Sequence, residues 1–332
     1  MAAYTGIQGQ NILIVSSDPA NPTEGQIWYN STTNLLKGYA NVVTNAWATG
    51  TVIPTSTRYA TGSGTQTAAL MFGGLAPSEV ATTLKYDGTS WTSTGSLSNA
   101  RAGAAGAGTQ TAALAAGGFP TPGNLLTESF NGTSWTSLAN MTASVTQRVG
   151  FGIQTAAIAA GGALPSSPFG AVNNTESWNG SSWTAVNTIN TARNGAAGCG
   201  IQTAGLLFAG NTPPRTAATE SWNGTSWTSV NSLNTSRGNS PGGVGTQTAA
   251  LAFGGALPPN AATGATELWN GTSWTTNPNS MGTARYQTAS AGIQTLALAM
   301  GGAEYPPPAS PLVNNVEEWV GSQLTVRTLT TS

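Results

Sequence analysis

Side chains that carry acid–base chemistry or bind metals are scarce in this chain. It has no histidine and one cysteine, Cys199, among 332 residues. Without histidine, neither a Ser-His-Asp triad nor a histidine-ligated metal site can form, and a single cysteine forms no internal disulfide or thiolate cluster. Cys199 lies in the Gly-rich segment AAGCG, where a small buried residue is expected rather than a nucleophile. The composition predicts no metal site and no cofactor.

The acidic residues could in principle form a pair of catalytic carboxyl groups. Glycosidase chemistry needs two such groups in distinct environments. Five glutamates occupy one repeated position, described below. The acids outside that position are scattered and form no evident cluster; they are Asp18, Glu24, Glu79, Asp87, Glu304 and Glu318. We therefore predict that the chain is not an enzyme.

The overall charge is small, with ten basic and eleven acidic residues, and only 6% of residues are charged. Such a surface lacks the positive patch that nucleic acid or an anionic membrane attracts. The longest apolar run near the N-terminus, residues 12–15, is too short for a membrane span or the core of a signal peptide. We predict no nucleic-acid partner and no membrane insertion. Weak repulsion between copies is compatible with a homo-oligomer.

A repeat of about 45 residues dominates the sequence. Its first element has the form G-[T/I]-Q-T and ends in two glycines in all copies but one. The glutamines are Gln66, Gln110, Gln154, Gln202, Gln247 and Gln294, at spacings of 44, 44, 48, 45 and 47 residues. A fixed period of this length indicates a repeat architecture, which must be recognised before any local pattern is interpreted.

A second element recurs in register with the first. It is an aromatic residue, then Asn-Gly or Asp-Gly, then a tryptophan; these tryptophans are Trp91, Trp135, Trp183, Trp227 and Trp274. Trp47 belongs to a partial N-terminal copy, and the C-terminal copy has Leu324 where the second tryptophan would stand. Each unit is predicted to form four short strands, with Asn-Gly as a two-residue type I′ turn. Four strands per unit are typical of a propeller blade.

These features resemble the kelch repeat. Its marks are a di-glycine closing the second strand, an aromatic residue and a tryptophan about five residues apart, and an arginine before the next unit. The di-glycines are 73–74, 117–118, 161–162, 254–255 and 301–302, and the fourth unit departs with Ala209-Gly210. The resemblance implies an all-β fold: a six-bladed kelch-like β-propeller over residues 46–332, closed by its N- and C-terminal strands, after a short N-terminal extension (1–45). A seventh, partial blade is the alternative.

Two repeat positions hold much of the charge. One position holds Glu128, Glu176, Glu220, Glu267 and Glu317, and the other holds Arg58, Arg101, Arg193, Arg237 and Arg285. We predict structural Arg–Glu pairs, one per blade, because a buried guanidinium needs a carboxylate partner. The alternative is a ring of arginines around a channel that binds an anion. Arg148 stands three residues off the pattern, and the first unit has Leu84 in place of glutamate, so the partners of Arg148 and Arg58 stay open.

The Asn-Gly-Thr/Ser-Ser strings match N-glycosylation acceptors at Asn131, Asn179, Asn223 and Asn270. A turn explains them better, because Asn and Gly both tolerate positive φ. The first unit has Asp87-Gly88 at the same position, which a turn accommodates and glycosylation does not.

The loops after the di-glycines vary in length and are rich in proline. Connections at the same place in every blade emerge on one face of a propeller, and stiff loops lose little entropy on binding. We predict a binding face there, with candidate residues Phe119, Phe169, Arg215, Tyr305 and Pro307. Aromatic side chains would suit sugar rings. The alternative is that these loops vary because nothing constrains them.

The N-terminal segment has the pattern G-x-I-W-Y-N followed by a leucine, carried by Gly25, Ile27, Trp28, Tyr29, Asn30 and Leu35. It resembles a small hairpin common in phage tail fibres and other virion proteins. The resemblance implies a structural protein located in the virion, a tail fibre or other receptor-binding appendage. The N-terminal segment would bind other virion proteins, and the loop face would attach to a host surface glycan or protein. A capsid-decoration module, another purely structural virion module and a kelch-type lectin or scaffold are the alternatives.

Overall fold

A computed structural model describes residues 12–42, 44–120, 125–165, 170–212, 214–304 and 311–329. The described residues form strands and turns and no helix, so the all-β prediction is confirmed. The chain divides into two compact units. The larger is Ala46–Val320, and the smaller combines Met1–Asn45 with Gly321–Ser332.

The strands follow in chain order. They are β1 (Leu13–Val15), β2 (Ile27–Asn30), β3 (Leu35–Val42), β4 (Ala46–Thr49), β5 (Thr61–Thr65), β6 (Ala68–Phe72), β7 (Thr83–Tyr86), β8 (Trp91–Thr94), β9 (Ala105–Gly108), β10 (Ala113–Ala116), β11 (Thr127–Phe130), β12 (Trp135–Leu138), β13 (Val149–Ile153), β14 (Ala156–Ala160), β15 (Thr175–Trp178), β16 (Trp183–Val186), β17 (Ala197–Ile201), β18 (Ala204–Phe208), β19 (Thr219–Trp222), β20 (Trp227–Val230), β21 (Gly242–Gly245), β22 (Ala250–Phe253), β23 (Ala256–Leu257), β24 (Ala261–Ala262), β25 (Thr266–Trp269), β26 (Trp274–Asn277), β27 (Ala289–Ile293), β28 (Leu296–Met300), β29 (Val316–Val320) and β30 (Gln323–Thr328).

The larger unit consists of repeated four-stranded antiparallel sheets, an arrangement consistent with a β-propeller. Sheets 1 to 4 are β5–β8, β9–β12, β13–β16 and β17–β20. Sheet 5 is β21, β22, β25 and β26, and sheet 6 is β27, β28, β29 and β4. The fourth strand of sheet 6 therefore comes from the start of the unit, with Trp47 of β4 opposite Trp319 of β29.

The first strand of each sheet contains one or more glycines because neighbouring sheets approach one another there. β5, β9, β13, β17, β21 and β27 contact each other in that order, and β27 also contacts β5. A Cβ on Gly150 would stand 2.5 Å from the backbone nitrogen of Gly106 in the preceding sheet. A larger residue at this position would push the two sheets apart.

Aromatic side chains fill the wider space between neighbouring sheets. Trp178 and Trp183 pair across β15 and β16 with ring centroids 5.4 Å apart. They pack with small residues of sheet 2 such as Ala105 and Ala107. Burying an aromatic side chain of this size contributes roughly 1.5–3 kcal/mol. The core is thus divided among the gaps between sheets.

The two glycines of the di-glycine position differ in conformation, which explains the exception in the fourth unit. The first residue of the pair has φ between +58° and +65° in every unit, a region that Ala209 also adopts at +62°. The second has φ between +94° and +114°, a region that essentially only glycine adopts. Alanine is therefore tolerated at position 209, whereas position 210 requires glycine.

The Asn-Gly turns differ from the prediction. Phe130 pairs directly with Trp135, so the hairpin loop has four residues and is not a two-residue type I′ turn. Only Gly132 has positive φ, at +96°. The oxygen of the Asn131 side chain accepts the backbone N–H groups of Thr133 and Ser134 at 3.0 and 2.9 Å. These bonds close the wider loop.

The smaller unit is one sheet in the order β1, β2, β3, β30, with β1 parallel to β2. Residues 321–332 were predicted to belong to the propeller, but β30 pairs with β3 in this unit. The reason is that β4 already occupies the edge of β29 in sheet 6. Asp18 accepts hydrogen bonds from Lys37, Asn30 and Trp28 at 2.7, 2.8 and 3.1 Å. These bonds lower the pKa of Asp18 to about 2.

Candidate functional site

The arginines and glutamates form five ion pairs, each between an arginine that precedes the first strand of a sheet and a glutamate in the third strand of that sheet. They are Arg101–Glu128 at 2.8 Å, Arg148–Glu176 at 2.8 Å, Arg193–Glu220, Arg237–Glu267 at 2.5 Å and Arg285–Glu317 at 3.0 Å. Both side chains of each pair are almost completely buried. Because each of these guanidinium groups faces a carboxylate, the five arginines do not form a free ring for an anion.

The Arg237–Glu267 pair shows what these charges hold in place. Arg237 Nη1 donates to the carbonyl of Ala265 at 2.7 Å, and the second oxygen of Glu267 accepts the backbone N–H of Asn234 at 2.7 Å. The pair therefore fastens the connection between two sheets to the third strand of sheet 5. Burial lowers the pKa of Arg237, and the charge of Glu267 opposes that shift.

The two arginines left open by the sequence have different surroundings. Val145 occupies the place in its repeat that Arg193 occupies in the next, and Arg148 stands three residues after it. From there Arg148 still pairs with Glu176. Arg58 stands one residue beyond the pattern, because Thr57 occupies the equivalent place and its carbonyl accepts the N–H of Gly302. No ion pair joins Arg58 to a residue in the described part of the chain. Its guanidinium lies 5.9 Å from the Tyr59 ring centroid.

The repeated glutamines join neighbouring sheets, a role that the sequence analysis did not assign. Gln110 donates to the carbonyls of Ala69 and Tyr86 in the preceding sheet at 3.1 and 2.5 Å. The other five make corresponding bonds to the sheet before their own; they are Gln66, Gln154, Gln202, Gln247 and Gln294. We call these six residues the seam glutamines.

A cavity of about 460 Å³ opens among the proline-rich loops of the larger unit. Its lining combines prolines with amide side chains, one aromatic ring and one guanidinium. The residues are Tyr59, Gln147, Asn194, Asn211, Pro214, Arg215, Asn239, Pro258, Pro259 and Asn260. We call it the outer cavity. Loops 211–218 and 256–265 supply six of these ten residues, so the varied loops do border a cavity.

Hydrogen bonds fix the polar groups of the outer cavity. The amide nitrogen of Asn211 donates to the side-chain oxygens of Asn194 and Asn239 at 2.9 and 3.0 Å. Arg215 donates to the carbonyl of Pro259 at 3.0 Å and to the Asn260 side chain at 2.5 Å. The lining is therefore held in one arrangement before any ligand arrives, which lowers the entropic cost of binding.

The predicted binding residues have separate outcomes. Arg215 lines the outer cavity. Phe119 packs against the Tyr59 ring edge to face, with centroids 5.3 Å apart, and so supports a lining residue. Phe169, Tyr305 and Pro307 lie outside the described residues.

A smaller cavity of about 150 Å³, the inner cavity, lies where the first strands of the sheets begin. Glycine, alanine, serine and threonine dominate its lining, and it shares Tyr59 and Gln147 with the outer cavity. No aspartate or glutamate is among the described residues that line either cavity. The two cavities thus offer amides, hydroxyls, an aromatic ring and the arginines Arg148 and Arg215, with no pair of acids for hydrolysis among the described lining residues.

Most of the polar lining was missed by sequence reasoning. Tyr59, Gln147, Asn239 and Gln287 share one repeat position, seven or eight residues before a seam glutamine. The positions on either side of it also vary in type from repeat to repeat, so no sequence signal set this position apart. Cys199, by contrast, is buried, and burial raises the pKa of its thiol to about 12.

No protein-family model matches the chain, and no curated protein matches it in sequence. Among the described residues, no helix is long and apolar enough to cross a membrane.

Proposed function

We propose that this chain is a non-enzymatic recognition module that binds neutral glycans in the outer cavity. One observation carries the proposal: a preorganised cavity lined by five Asn and Gln side chains, an aromatic ring, prolines and Arg215, whose guanidinium donates to Pro259 and Asn260, without acids. Each sugar hydroxyl both donates and accepts hydrogen bonds, and amide side chains match both roles. The Tyr59 ring supplies an apolar surface for a sugar face. The cavity size is in the range of small-ligand sites.

The scaffold of the proposed site is one closed, six-bladed, kelch-like propeller. Three observations support closure. β4 pairs with β29, β27 contacts β5, and Gln66 of sheet 1 donates to the carbonyls of Ala297 and Trp319 in sheet 6 at 3.1 and 2.8 Å. Pairing the first and last strands of the ring removes exposed sheet edges.

The setting of the proposed module is a phage virion, as a tail fibre or other receptor-facing appendage. The smaller unit would attach it to other virion proteins. In that unit Trp28 is fully buried, which makes the Ile-Trp-Tyr-Asn strand its core. Leu13 and Ile14 of the edge strand β1 are 49% and 70% exposed. An exposed apolar edge strand is a ready site for pairing with another chain. This edge equally suits a capsid-decoration module.

Glycan binding is tested with the full chain on an array of neutral and anionic oligosaccharides, followed by calorimetric titration of whatever binds. We expect binding to neutral members and at least a tenfold loss of affinity in Asn211→Ala, because Asn211 orders both Asn194 and Asn239. Asn223→Ala, in a four-residue turn, is the matched control and should bind like the parent. Binding to no oligosaccharide, or equal binding by Asn211→Ala, would contradict the proposal.

A further inference from the structure

Six equivalent residues of the repeat have left-handed backbone, and five of them line the outer or the inner cavity. They are Tyr59, Gly103, Gln147, Gly195, Asn239 and Gln287, with φ between +53° and +62°. We call them the mouth ring. Tyr59 and Gln147 line both cavities, Asn239 lines the outer one and Gln287 the inner one.

Backbone hydrogen bonds between sheets account for this conformation. Gly103 donates its N–H to the carbonyl of Tyr59 at 2.8 Å, and Tyr59 donates to Gln287 at 3.0 Å. Gln287 in turn donates to Asn239 at 3.0 Å. These bonds use main-chain atoms alone, so glycine could make all of them without the strain that left-handed backbone imposes on other residues.

Glycine occupies two ring positions, and there a loop side chain takes the space. A Cβ on Gly103 would stand 2.8 Å from the Phe119 ring, and one on Gly195 would stand 3.1 Å from the Asn211 amide. At the other four positions a strained side chain is present although the backbone does not require it. Strain of this kind concentrates where a side chain has a function.

Gln287 adds a second, independent observation. This residue is 6% exposed, and its side-chain oxygen accepts no hydrogen bond from any described residue. A buried acceptor without a donor is unfavourable. Gln287 also lines the inner cavity. An O–H group entering that cavity would supply the missing donor.

We propose that Gln147 and Gln287 read the terminal sugar residue of a glycan, which enters the mouth ring end first. This inference rests on the proposed glycan binding. At about 150 Å³ the inner cavity is smaller than a typical site for a whole small ligand, so it admits the end of a chain and excludes its middle. The Gln147 side chain reaches both cavities, and Gln287 accepts a hydroxyl of the terminal residue.

The test uses Gln147→Gly and Gln287→Asn. Gln147→Gly removes strain together with the amide, so we expect its urea midpoint to equal or exceed that of the parent while glycan affinity falls at least tenfold. Asn tolerates left-handed backbone but is one methylene shorter. Gln287→Asn should therefore keep the parent midpoint and bind at least fivefold more weakly. The free monosaccharide of the terminal residue should compete for binding.

Ala209→Gly is the matched control, since it removes left-handed strain at φ +62° in a fully buried residue that lines neither cavity. Ala209→Gly should raise the urea midpoint or leave it unchanged, and its glycan affinity should equal that of the parent. Parent-like affinity in both glutamine variants, or a clear fall in the Gln147→Gly midpoint, would overturn the inference while leaving glycan binding in place. If the parent chain binds no oligosaccharide, the proposed function fails and this inference fails with it.

Discussion

The seam glutamines and the mouth ring come from the same six repeats and stand only seven or eight residues apart, yet their side chains differ in kind. The seam position is glutamine in every repeat, whereas the mouth position holds tyrosine, asparagine, glutamine or glycine. Both positions make hydrogen bonds between sheets. At the seam the side chain makes the bonds, and at the mouth the backbone makes them.

This difference explains which positions can vary. Each seam glutamine donates to at least two acceptors of the preceding sheet, which include two carbonyls or, for Gln202, one carbonyl and the Ser177 hydroxyl, so its length and its amide are both fixed by the geometry. A mouth residue has its structural role met by the main chain, and its side chain is available for another task. Uniform positions therefore support the architecture, and varied positions at the same seam are where recognition can develop.

The largest expected effect is at a uniform charged position. Arg237→Ala leaves the Glu267 carboxylate buried without its partner, and breaking a buried pair in this way costs about 3–5 kcal/mol. The measurement is urea unfolding followed by tryptophan fluorescence.

Arg58→Ala is the matched control for this loss. Arg58 stands beside the mouth residue Tyr59 and has no glutamate at the equivalent position, so we expect a cost of about 1 kcal/mol, typical of an ordinary substitution. If Arg237→Ala and Arg58→Ala lower the free energy of unfolding equally, the repeated Arg–Glu pairs contribute no more to stability than an ordinary arginine. The double variant Arg237→Met with Glu267→Leu should recover much of the stability, because apolar residues of similar size can replace a buried pair.

An effect of intermediate size on stability distinguishes the seam glutamines from the mouth ring directly. Gln110→Ala leaves the carbonyls of Ala69 and Tyr86 without their donor, which costs about 1–3 kcal/mol. Gln147→Ala removes a mouth glutamine and should change the free energy of unfolding by only about 0.5 kcal/mol. The same urea experiment compares them. A Gln147→Ala loss as large as that of Gln110→Ala would remove the distinction between architecture and recognition.

The repeat pattern predicted the all-β units well because their strands pair with sequence neighbours. Gln, di-glycine, aromatic and tryptophan positions each fall at a constant distance from one another, and hairpins of this kind are set by local sequence. Residues 321–332 were included in the propeller, whereas β30 pairs with β3, because β4 already fills the edge of β29 and such a choice depends on the assembled sheets. The four-residue turns were missed because the Asn131 side chain replaces a backbone partner.

The candidate site was predicted only at the level of a face. Variation in the proline-rich loops indicated where to look, and Arg215 lies in the cavity there. The other lining residues come from different repeats, as with Asn194 in the fourth repeat and Tyr59 in the first. Their proximity arises only when the sheets assemble, so no local pattern marks them as one site.

The smallest expected effect is at the four-residue turns, which are uniform but not specific for an amide. Asp87 already occupies this position in the first repeat and accepts the N–H groups of Thr89 and Ser90 at 2.9 and 2.7 Å, as Asn131 does in the second. Asn131→Asp should therefore change stability by no more than about 0.5 kcal/mol at pH 7.

Acid conditions should reveal the new carboxylate in Asn131→Asp. The hydrogen bonds of this turn hold the pKa of Asp87 well below its ordinary value, and the introduced aspartate should behave in the same way. A group whose pKa is lowered on folding stabilises the protein above its unfolded pKa, near 3.9, and that contribution is lost as the pH falls through the folded value. Relative to the parent, the thermal midpoint of Asn131→Asp should therefore match at pH 7 and drop progressively below about pH 4. If the difference in thermal midpoint between Asn131→Asp and the parent stays constant from pH 7 to pH 2.5, the turn holds its side chain by shape alone. The uniform repeat positions would then be of two kinds: those that need an amide and those that need only a small polar residue.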